Sequence, residues 1–145
     1  MGLQEKWLSG HTDEELIAQS SASALPGGGT RDYPAGAEIF KEGAPSHELF
    51  ILLAGRVLVY QQREGGDVIL AELGPPEILG EMGCLQGMPR SAHAVAMEDC
   101  RLLVIPEAEV DRTITALPRW FVRVVDILIN RLRDTGRRVT RESSL

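Results

Sequence analysis

The segment at 80–94, GEMGCLQGMPRSAHA, holds the residues of this chain whose types and spacing best suit a chemical task. Its residues 81–85 can form one helical turn with free N–H groups at the amino end, and its glycines let a ligand approach the backbone closely. Arg90 follows after a turn, and a guanidinium at that position can bind two phosphate oxygens at once. The segment therefore predicts a small site for an anionic ligand.

Glu81 adds a carboxylate to this predicted anion site. Its negative charge would repel a phosphate, so its oxygens must accept hydrogen bonds from some other group. Two groups fit, namely a sugar hydroxyl of the ligand, or Arg90 when the pocket is empty. The residues alone leave both open.

The rest of the sequence shows no catalytic or metal-binding constellation. His11, His47 and His93 are far apart and lack the spacing of metal ligands. The two cysteines, Cys84 and Cys100, form no CxxC pair, so neither a zinc site nor a disulfide framework is indicated. No nucleophile–base pair or Walker loop is visible either, and we expect no catalytic residue, no metal and no enzymatic activity.

The composition indicates one domain in a reducing compartment. The chain has 145 residues, of which 43% are hydrophobic, enough for a single core. A formal net charge of -6 argues against a nucleic-acid surface, which usually needs a dominant basic face. No apolar run approaches the roughly 20 residues of a membrane-spanning helix, and the first residues lack the layout of a signal peptide. We therefore expect a cytoplasmic protein that binds neither DNA nor a membrane.

The middle of the chain, residues 31–105, is predicted to be β structure. Short runs rich in β-branched and aromatic residues alternate there with turn signals. The predicted strands are 38–41, 48–53, 56–62, 68–73, 92–97 and 102–105. Many short strands with frequent turns favour a sandwich or barrel. Residues 1–30 are predicted to form a helix over 4–19, with a start signal at Thr12, and a linker over 20–30.

Helical periodicity replaces strand alternation in residues 106–140. A short helix is predicted over 107–115 and a longer one from Pro118 onward. The longer helix is apolar over a wide arc, with a stripe at positions 117, 121, 124, 128 and 132. A second copy of the chain would cover part of that arc and form a homodimer. The alternative is a broad face buried against the chain's own barrel.

Several blocks of the sequence resemble the cyclic nucleotide-binding domain family, which includes the bacterial catabolite activator, regulatory subunits of the cyclic-AMP-dependent kinase, and cyclic-nucleotide-gated channels. Residues 79–92, with GEMGCL followed by PRSA, are similar to the family's phosphate-binding cassette. Residues 33–60, YPAGAEIFKEGAPSHELFILLAGRVLVY, are similar to its opening strands, including the turn glycines. The resemblance covers about residues 31–135. It implies a mainly β fold, a double-stranded β-helix (jelly-roll) barrel with an N-terminal helix and C-terminal helices.

The resemblance also implies roles for individual residues. Glu81 would bind the ribose 2′-hydroxyl of a cyclic nucleotide monophosphate, and Arg90 the exocyclic oxygens of its phosphate. The N–H groups of Met82 and Ser91, with the Ser91 hydroxyl, would bind the remaining phosphate and nearby polar atoms. Serine at position 91 leans toward cyclic AMP over cyclic GMP. The full set of predicted ligand-binding residues is Leu79, Gly80, Glu81, Met82, Arg90, Ser91 and Ala92.

Two further groups of residues are expected around the base of the nucleotide. In the family, residues of the last helix often cap the base, and the candidates here are Asn130, Arg131 and Asp134. The candidates for an apolar wall are Leu79, Val57, Leu70 and Leu73.

The function implied is that of a regulatory sensor domain, which relays its ligand state through the C-terminal helices to an unknown downstream protein. The alternative is an interaction module of the same fold that has no nucleotide ligand and acts by protein docking. Transcriptional relatives carry a helix-turn-helix after the long helix, whereas this chain ends at Leu145. We expect either a stand-alone sensor or a piece of something larger.

Overall fold

The structure of the protein is a computed structural model that describes residues 28–143, together with Gly10, Thr12 and Glu15. Side chains are described throughout these residues except at 82, 133 and 135–143. Most of the helix predicted over 4–19 lies outside the described residues. Within it, the Thr12 N–H donates to Glu15 Oε2 over 3.0 Å and the Glu15 N–H to Thr12 Oγ1 over 3.2 Å. This reciprocal pair is the capping box that marks a helix start.

Eight strands form two antiparallel sheets in the described part of the chain. The strands are β1 (Gly29–Tyr33), β2 (Glu38–Phe40), β3 (Glu48–Ala54), β4 (Val57–Arg63), β5 (Gly66–Leu73), β6 (Glu77–Leu79), β7 (His93–Ala96) and β8 (Cys100–Pro106). One sheet has the order β1-β8-β3-β6 and the other β2-β7-β4-β5. The helices are α1 (Glu81–Gln86), α2 (Glu107–Ala116) and α3 (Arg119–Ser143). The expected mainly β barrel is confirmed.

The core lies between the two sheets and follows from the alternation of their side chains. On β3, Phe50 and Leu52 are buried while their neighbours are more exposed, as the period of two requires. Leu52 lies directly opposite Leu102 of β8 in the same sheet. The other sheet contributes residues such as Val57 and Ala94, which are both fully buried. Strands β2, β4, β5 and β6 of these sheets also contribute residues to the candidate site.

Three of the described strand pairs show a register shift of the kind that a β-bulge produces, one of them between Leu52 and Ala54 on β3 and the other two on β5 and β2. On β5, Ala71 pairs with Val59 of β4 and Ile69 pairs with the next residue, Tyr60. Leu70 is therefore the extra residue of the bulge. On β2 the register shifts between Glu38 and Phe40, while their partners on β7 are adjacent residues. Bulges re-aim side chains and are frequent beside functional sites.

All six predicted strands are present, but the structure adds two that the pattern did not indicate. β1 begins at Gly29, inside the predicted linker over 20–30, and its sequence GTRDY has little β character of its own. It forms because all five residues pair with β8. β6 has only three residues and pairs with β3. In both strands tertiary pairing overrides weak local propensity.

The chain divides into two compact units, Met1–Glu109 and Val110–Leu145. In the second unit, α3 begins just after Pro118, whose carbonyl accepts hydrogen bonds from the N–H groups of Phe121 and Val122. No described helix is both long enough and apolar enough to cross a membrane.

Candidate functional site

A cavity of about 210 Å³ lies at the end of the barrel beside α1. Of the seven residues that the sequence predicted for the site, six line it, namely Leu79, Gly80, Glu81, Arg90, Ser91 and Ala92. Met82 lies in α1, and its side chain is outside the described residues. The structure therefore brings the predicted residues together around one space.

The wall of this cavity is largely apolar, and the sequence predicted it only in part. Leu79 and Leu73 line the cavity as expected. Val57 does not, because it is fully buried in the core, and Leu70 does not, because the bulge on β5 leaves it 44% exposed. The lining residues that were missed are Phe40, Val59, Ala71, Ile78, Gly83, Met88 and Pro89. Strand alternation would have found Val59 and Ala71, since each lies two positions from a candidate.

Arg90 is the most buried charged group of the site, with 6% of its surface exposed. Its Nη2 donates to the Glu48 carbonyl over 2.8 Å, and its Nη1 donates over 3.4 Å to the carbonyl of Gly80. The Nε atom is buried and has no hydrogen-bond partner. Burial lowers the pKa of Arg90, but an arginine remains charged in proteins.

The guanidinium of Arg90 also lies against two aromatic rings. Its Cζ atom is 4.4 Å from the ring centre of Phe40 and 5.5 Å from that of Phe50. Within the described residues, Arg90 forms no ion pair with a carboxylate. Two carbonyl groups and two aromatic rings contact this cation, and the negative charge of Glu48 acts on it only from beyond ion-pair distance.

The main chain of Arg90 is held by the turn between β2 and β3. The Gly43 N–H donates to the Arg90 carbonyl over 2.8 Å, and the Arg90 N–H donates to the carbonyl of Ala44 over 2.9 Å. The next residue is held from β4, where Gln61 Nε2 donates to the Ser91 carbonyl over 2.8 Å. Residues 90 and 91 are therefore fixed by partners from distant parts of the sequence.

Gly80 allows the close approach between α1 and Arg90. It is the N-cap of α1 with φ of 77°, in the left-handed region that glycine adopts without strain. A Cβ atom at this position would overlap Arg90 Nη1. No other residue type fits here while Arg90 keeps its position.

Glu81 begins α1 and lines the same cavity. Burial raises the pKa of its carboxyl, and the nearby charge of Glu77 raises it further, while the carboxyl's hydrogen bond from its own backbone N–H acts in the opposite direction. The hydrogen bonds of Arg90 go to carbonyl groups and not to Glu81. The carboxylate is therefore available to a group that enters the cavity.

The histidines and cysteines that the sequence analysis considered have the following surroundings. His47 lies 3.3 Å from Glu107, and His93 stacks on Tyr60 with ring centres 5.0 Å apart. Cys84 and Cys100 are buried, and neither forms a disulfide within the described residues. The described residues contain no cluster of three or more side chains that could hold a metal ion. The proposed capping residues, Asn130, Arg131 and Asp134, lie on α3 in the second unit.

Comparison with known proteins gives this arrangement a family context. The family model described as "Cyclic nucleotide-binding domain" matches residues 30–116. The Cyclic AMP receptor protein of Thermus thermophilus is 37% identical over 105 residues, which are 72% of this chain and 49% of that protein. The chain spans about half the length, or less, of the curated relatives that it matches most strongly.

Solved structures give the same result. An EAL enzyme in its cyclic-AMP-bound form matches with a TM-score of 0.64 and 30% identity, over 74% of this chain and 29% of that one. Its cyclic-GMP-bound form matches with a TM-score of 0.65 and 30% identity, over the same shares of the two chains.

Proposed function

The chain belongs to the cyclic nucleotide-binding domain family, and from this premise we propose that it binds a cyclic nucleotide monophosphate in the cavity beside α1. The observation that carries the proposal is the state of Arg90, a buried cation that forms no ion pair with any carboxylate of the described residues. Leaving a buried charge without an ionic partner costs several kcal/mol. A phosphate in the cavity would supply that partner.

Glu81 gives the site its second polar contact in this proposal. The carboxylate accepts a hydrogen bond from the ribose 2′-hydroxyl, which suits an acceptor-only group that Arg90 leaves unpaired. The N–H groups of Met82 and Ser91, with the Ser91 hydroxyl, bind the remaining phosphate oxygens. A site that holds a phosphate with Arg90 and a ribose hydroxyl with Glu81, the first residue of α1, suits a nucleotide.

The apolar wall takes the base, and we propose cyclic AMP as the preferred ligand over cyclic GMP. Val59, Ala71, Leu73 and Ile78 offer hydrocarbon surface to a purine face. None of these side chains can donate a hydrogen bond to the carbonyl that guanine has in place of the adenine amino group. The related EAL enzyme was solved with either nucleotide bound, so the preference is one of degree.

The regulatory part of the proposal is that ligand binding changes the C-terminal helices, and that α3 makes a homodimer. Six large apolar side chains of α3 are at least 39% exposed, which favours a partner helix. They are Trp120, Phe121, Val124, Ile127, Leu128 and Leu132. We propose further that the domain itself catalyses no reaction and works in the cytoplasm, a reducing compartment that suits cysteines outside disulfides.

Isothermal titration calorimetry with cyclic AMP and with cyclic GMP tests the binding proposal. We expect the wild-type protein to bind cyclic AMP more tightly. Arg90→Lys should weaken binding about ten- to hundredfold, because a lysine cannot make the forked contact and one charged hydrogen bond contributes about 1.5–3 kcal/mol. Arg101→Lys is the matched control, since Arg101 is an exposed arginine paired with Asp32 on β1.

Two results would contradict the proposal. Equal affinities of the wild-type and Arg90→Lys proteins would remove Arg90 from the site. If neither nucleotide gives a heat signal or changes the melting temperature, the alternative is favoured. The chain would then be a docking module of the same fold that has no nucleotide ligand.

A further inference from the structure

The ring of Phe40 forms the part of the cavity wall that lies against Arg90. We propose that Phe40 is a positioning residue, which fixes the plane of the Arg90 guanidinium in the orientation that binds the ligand phosphate. This inference rests on the proposed function, since it assigns a task to a residue of the same site.

The hydrogen bonds of Arg90 are too few to fix this plane. One bond, from Nη2 to the Glu48 carbonyl at 2.8 Å, has good length, but the bond from Nη1 to Gly80 is 3.4 Å long and therefore weak. Both bonds lie at the Nη end of the group, so the plane can still tilt about that end. The Phe40 ring, whose centre is 4.4 Å from Cζ and nearer than that of Phe50, packs against the group and restricts this freedom.

An aromatic ring positions the cation without neutralising it. The negative face of the ring attracts a guanidinium, and the attraction strengthens when water is excluded. A carboxylate in the same place would form an ion pair with Arg90 and compete with the phosphate for it. The ring is therefore the kind of partner that keeps the charge available to a ligand.

The local backbone directs Phe40 toward the site. The bulge on β2 lies between Glu38 and Phe40, immediately before the ring, and such irregularities re-aim side chains. Phe40 is only partly buried, whereas Phe50, whose ring centre is 6.0 Å away, is a fully buried core residue. Phe40 can therefore be changed with less damage to the fold than Phe50.

The test compares Phe40→Leu, which keeps an apolar side chain without the ring, with Phe40→Tyr, which keeps the ring. Calorimetric titration with cyclic AMP should show an affinity loss of about three- to thirtyfold for Phe40→Leu, the range expected for a desolvated cation–π contact. Phe40→Tyr should restore most of the affinity. A residue that merely fills space would show no such dependence on aromaticity.

Crystal structures of the ligand-free wild-type and Phe40→Leu proteins decide the inference independently of binding. We expect the guanidinium of the variant to move by more than about 0.5 Å, the tolerance of a preorganised site. An unmoved guanidinium, or equal affinity of Phe40→Leu and wild type, would overturn the inference. A wild-type protein that binds no cyclic nucleotide would overturn the proposed function instead, and the crystal structures would still show whether the ring positions Arg90.

Discussion

At the scale of single residues, the site holds two charges of opposite sign that do not pair with each other. Arg90 donates to carbonyls of Glu48 and Gly80, and the carboxyl of Glu81 has a hydrogen bond from its own N–H. Both side chains are partly or fully removed from water, so each raises the energy of the empty site. A ligand with a phosphate and a hydroxyl would relieve both costs at once, which is how a site can favour its bound state over its free state.

The raised pKa of Glu81 leads to a prediction for Glu81→Gln. Because the folded pKa lies above the ordinary value of 4.5, the folded protein holds the extra proton between the two values, and the free energy of unfolding falls as pH rises through that window. Glutamine carries no charge, so it avoids the free-energy cost of burying the ionised carboxylate. We expect the ligand-free variant to be more stable than wild type at neutral pH, by less than about 1 kcal/mol since solvent reaches the carboxyl. Its affinity for cyclic AMP should nevertheless fall.

Urea unfolding at pH 4 and pH 7 measures the stability difference, which should shrink at the lower pH, where the wild-type carboxyl is largely protonated in both states. Glu64→Gln is the control, because Glu64 is an exposed carboxylate on the turn between β4 and β5. A variant that is less stable than wild type at pH 7 would show that Glu81 stabilises the fold.

Much of the site could be read from the sequence at this scale. The predicted residues of the cassette lie within 14 consecutive positions, 79–92, so the chain itself keeps them near one another. The partners of Arg90 could not be predicted, because Phe40, Glu48 and Ala44 reach it through long-range pairing. No local pattern indicates which carbonyl group will face a distant guanidinium.

At the scale of elements, α1 is bracketed by two glycines with left-handed backbones. Gly80 precedes it with φ of 77°, and Gly87 follows it with φ of 66°. They differ in their surroundings, since a Cβ atom at 80 would overlap Arg90 and one at 87 would meet nothing within 4 Å. Substitutions at the two glycines can therefore distinguish the effect of backbone strain from the effect of contact with Arg90.

We predict different outcomes for Gly80→Ala and Gly87→Ala. Each should lower the free energy of unfolding by about 1–2 kcal/mol, the cost of a left-handed alanine. Only Gly80→Ala should also weaken cyclic AMP binding, by at least about tenfold, because its methyl group displaces the guanidinium. Thermal unfolding and calorimetric titration of both variants check this, and equal affinities would mean that Arg90 can move without loss.

The bulges mark where pattern-based reasoning fails for elements. An alternation of two, counted back from Leu73, places Ala71 on the inside but says nothing about an extra residue at Leu70. The strands missed by the sequence, β1 and β6, fail for a related reason, since they exist through pairing with β8 and β3. The β-propensity of a segment depends on that segment alone, whereas the register of a strand depends on how it pairs with a second strand.

At the scale of the whole molecule, the largest unexplained surface is the apolar side of α3. Phe121, Val124, Leu128 and Leu132 are spaced three or four residues apart and are 41–55% exposed. This is the spacing by which two helices pack along a common seam. A second exposed apolar group, Val68 to Leu70, lies on the edge strand β5 and offers a competing surface for association.

We predict that the protein dimerises through α3 and that Leu128→Glu makes it monomeric. A charge at the centre of the seam would be buried without a partner, which dimers do not tolerate. Ile69→Glu is the matched control, because Ile69 is 63% exposed and Leu128 is 55% exposed. Sedimentation velocity over a range of protein concentrations measures the oligomeric state of both variants. A dimer that persists with Leu128→Glu but dissociates with Ile69→Glu would place the interface on β5 instead.

The turn between β2 and β3 binds the backbone of Arg90 and so makes ligand binding depend on an intact barrel. Gly43 and Ala44 lie more than 45 positions before Arg90 in the chain, yet their two hydrogen bonds hold it in place. A proteolysed chain that had lost this turn would keep the entire cassette in its sequence and still present no ordered arginine. The domain would thus bind its ligand only while the barrel is intact, so a damaged copy could not report a nucleotide falsely.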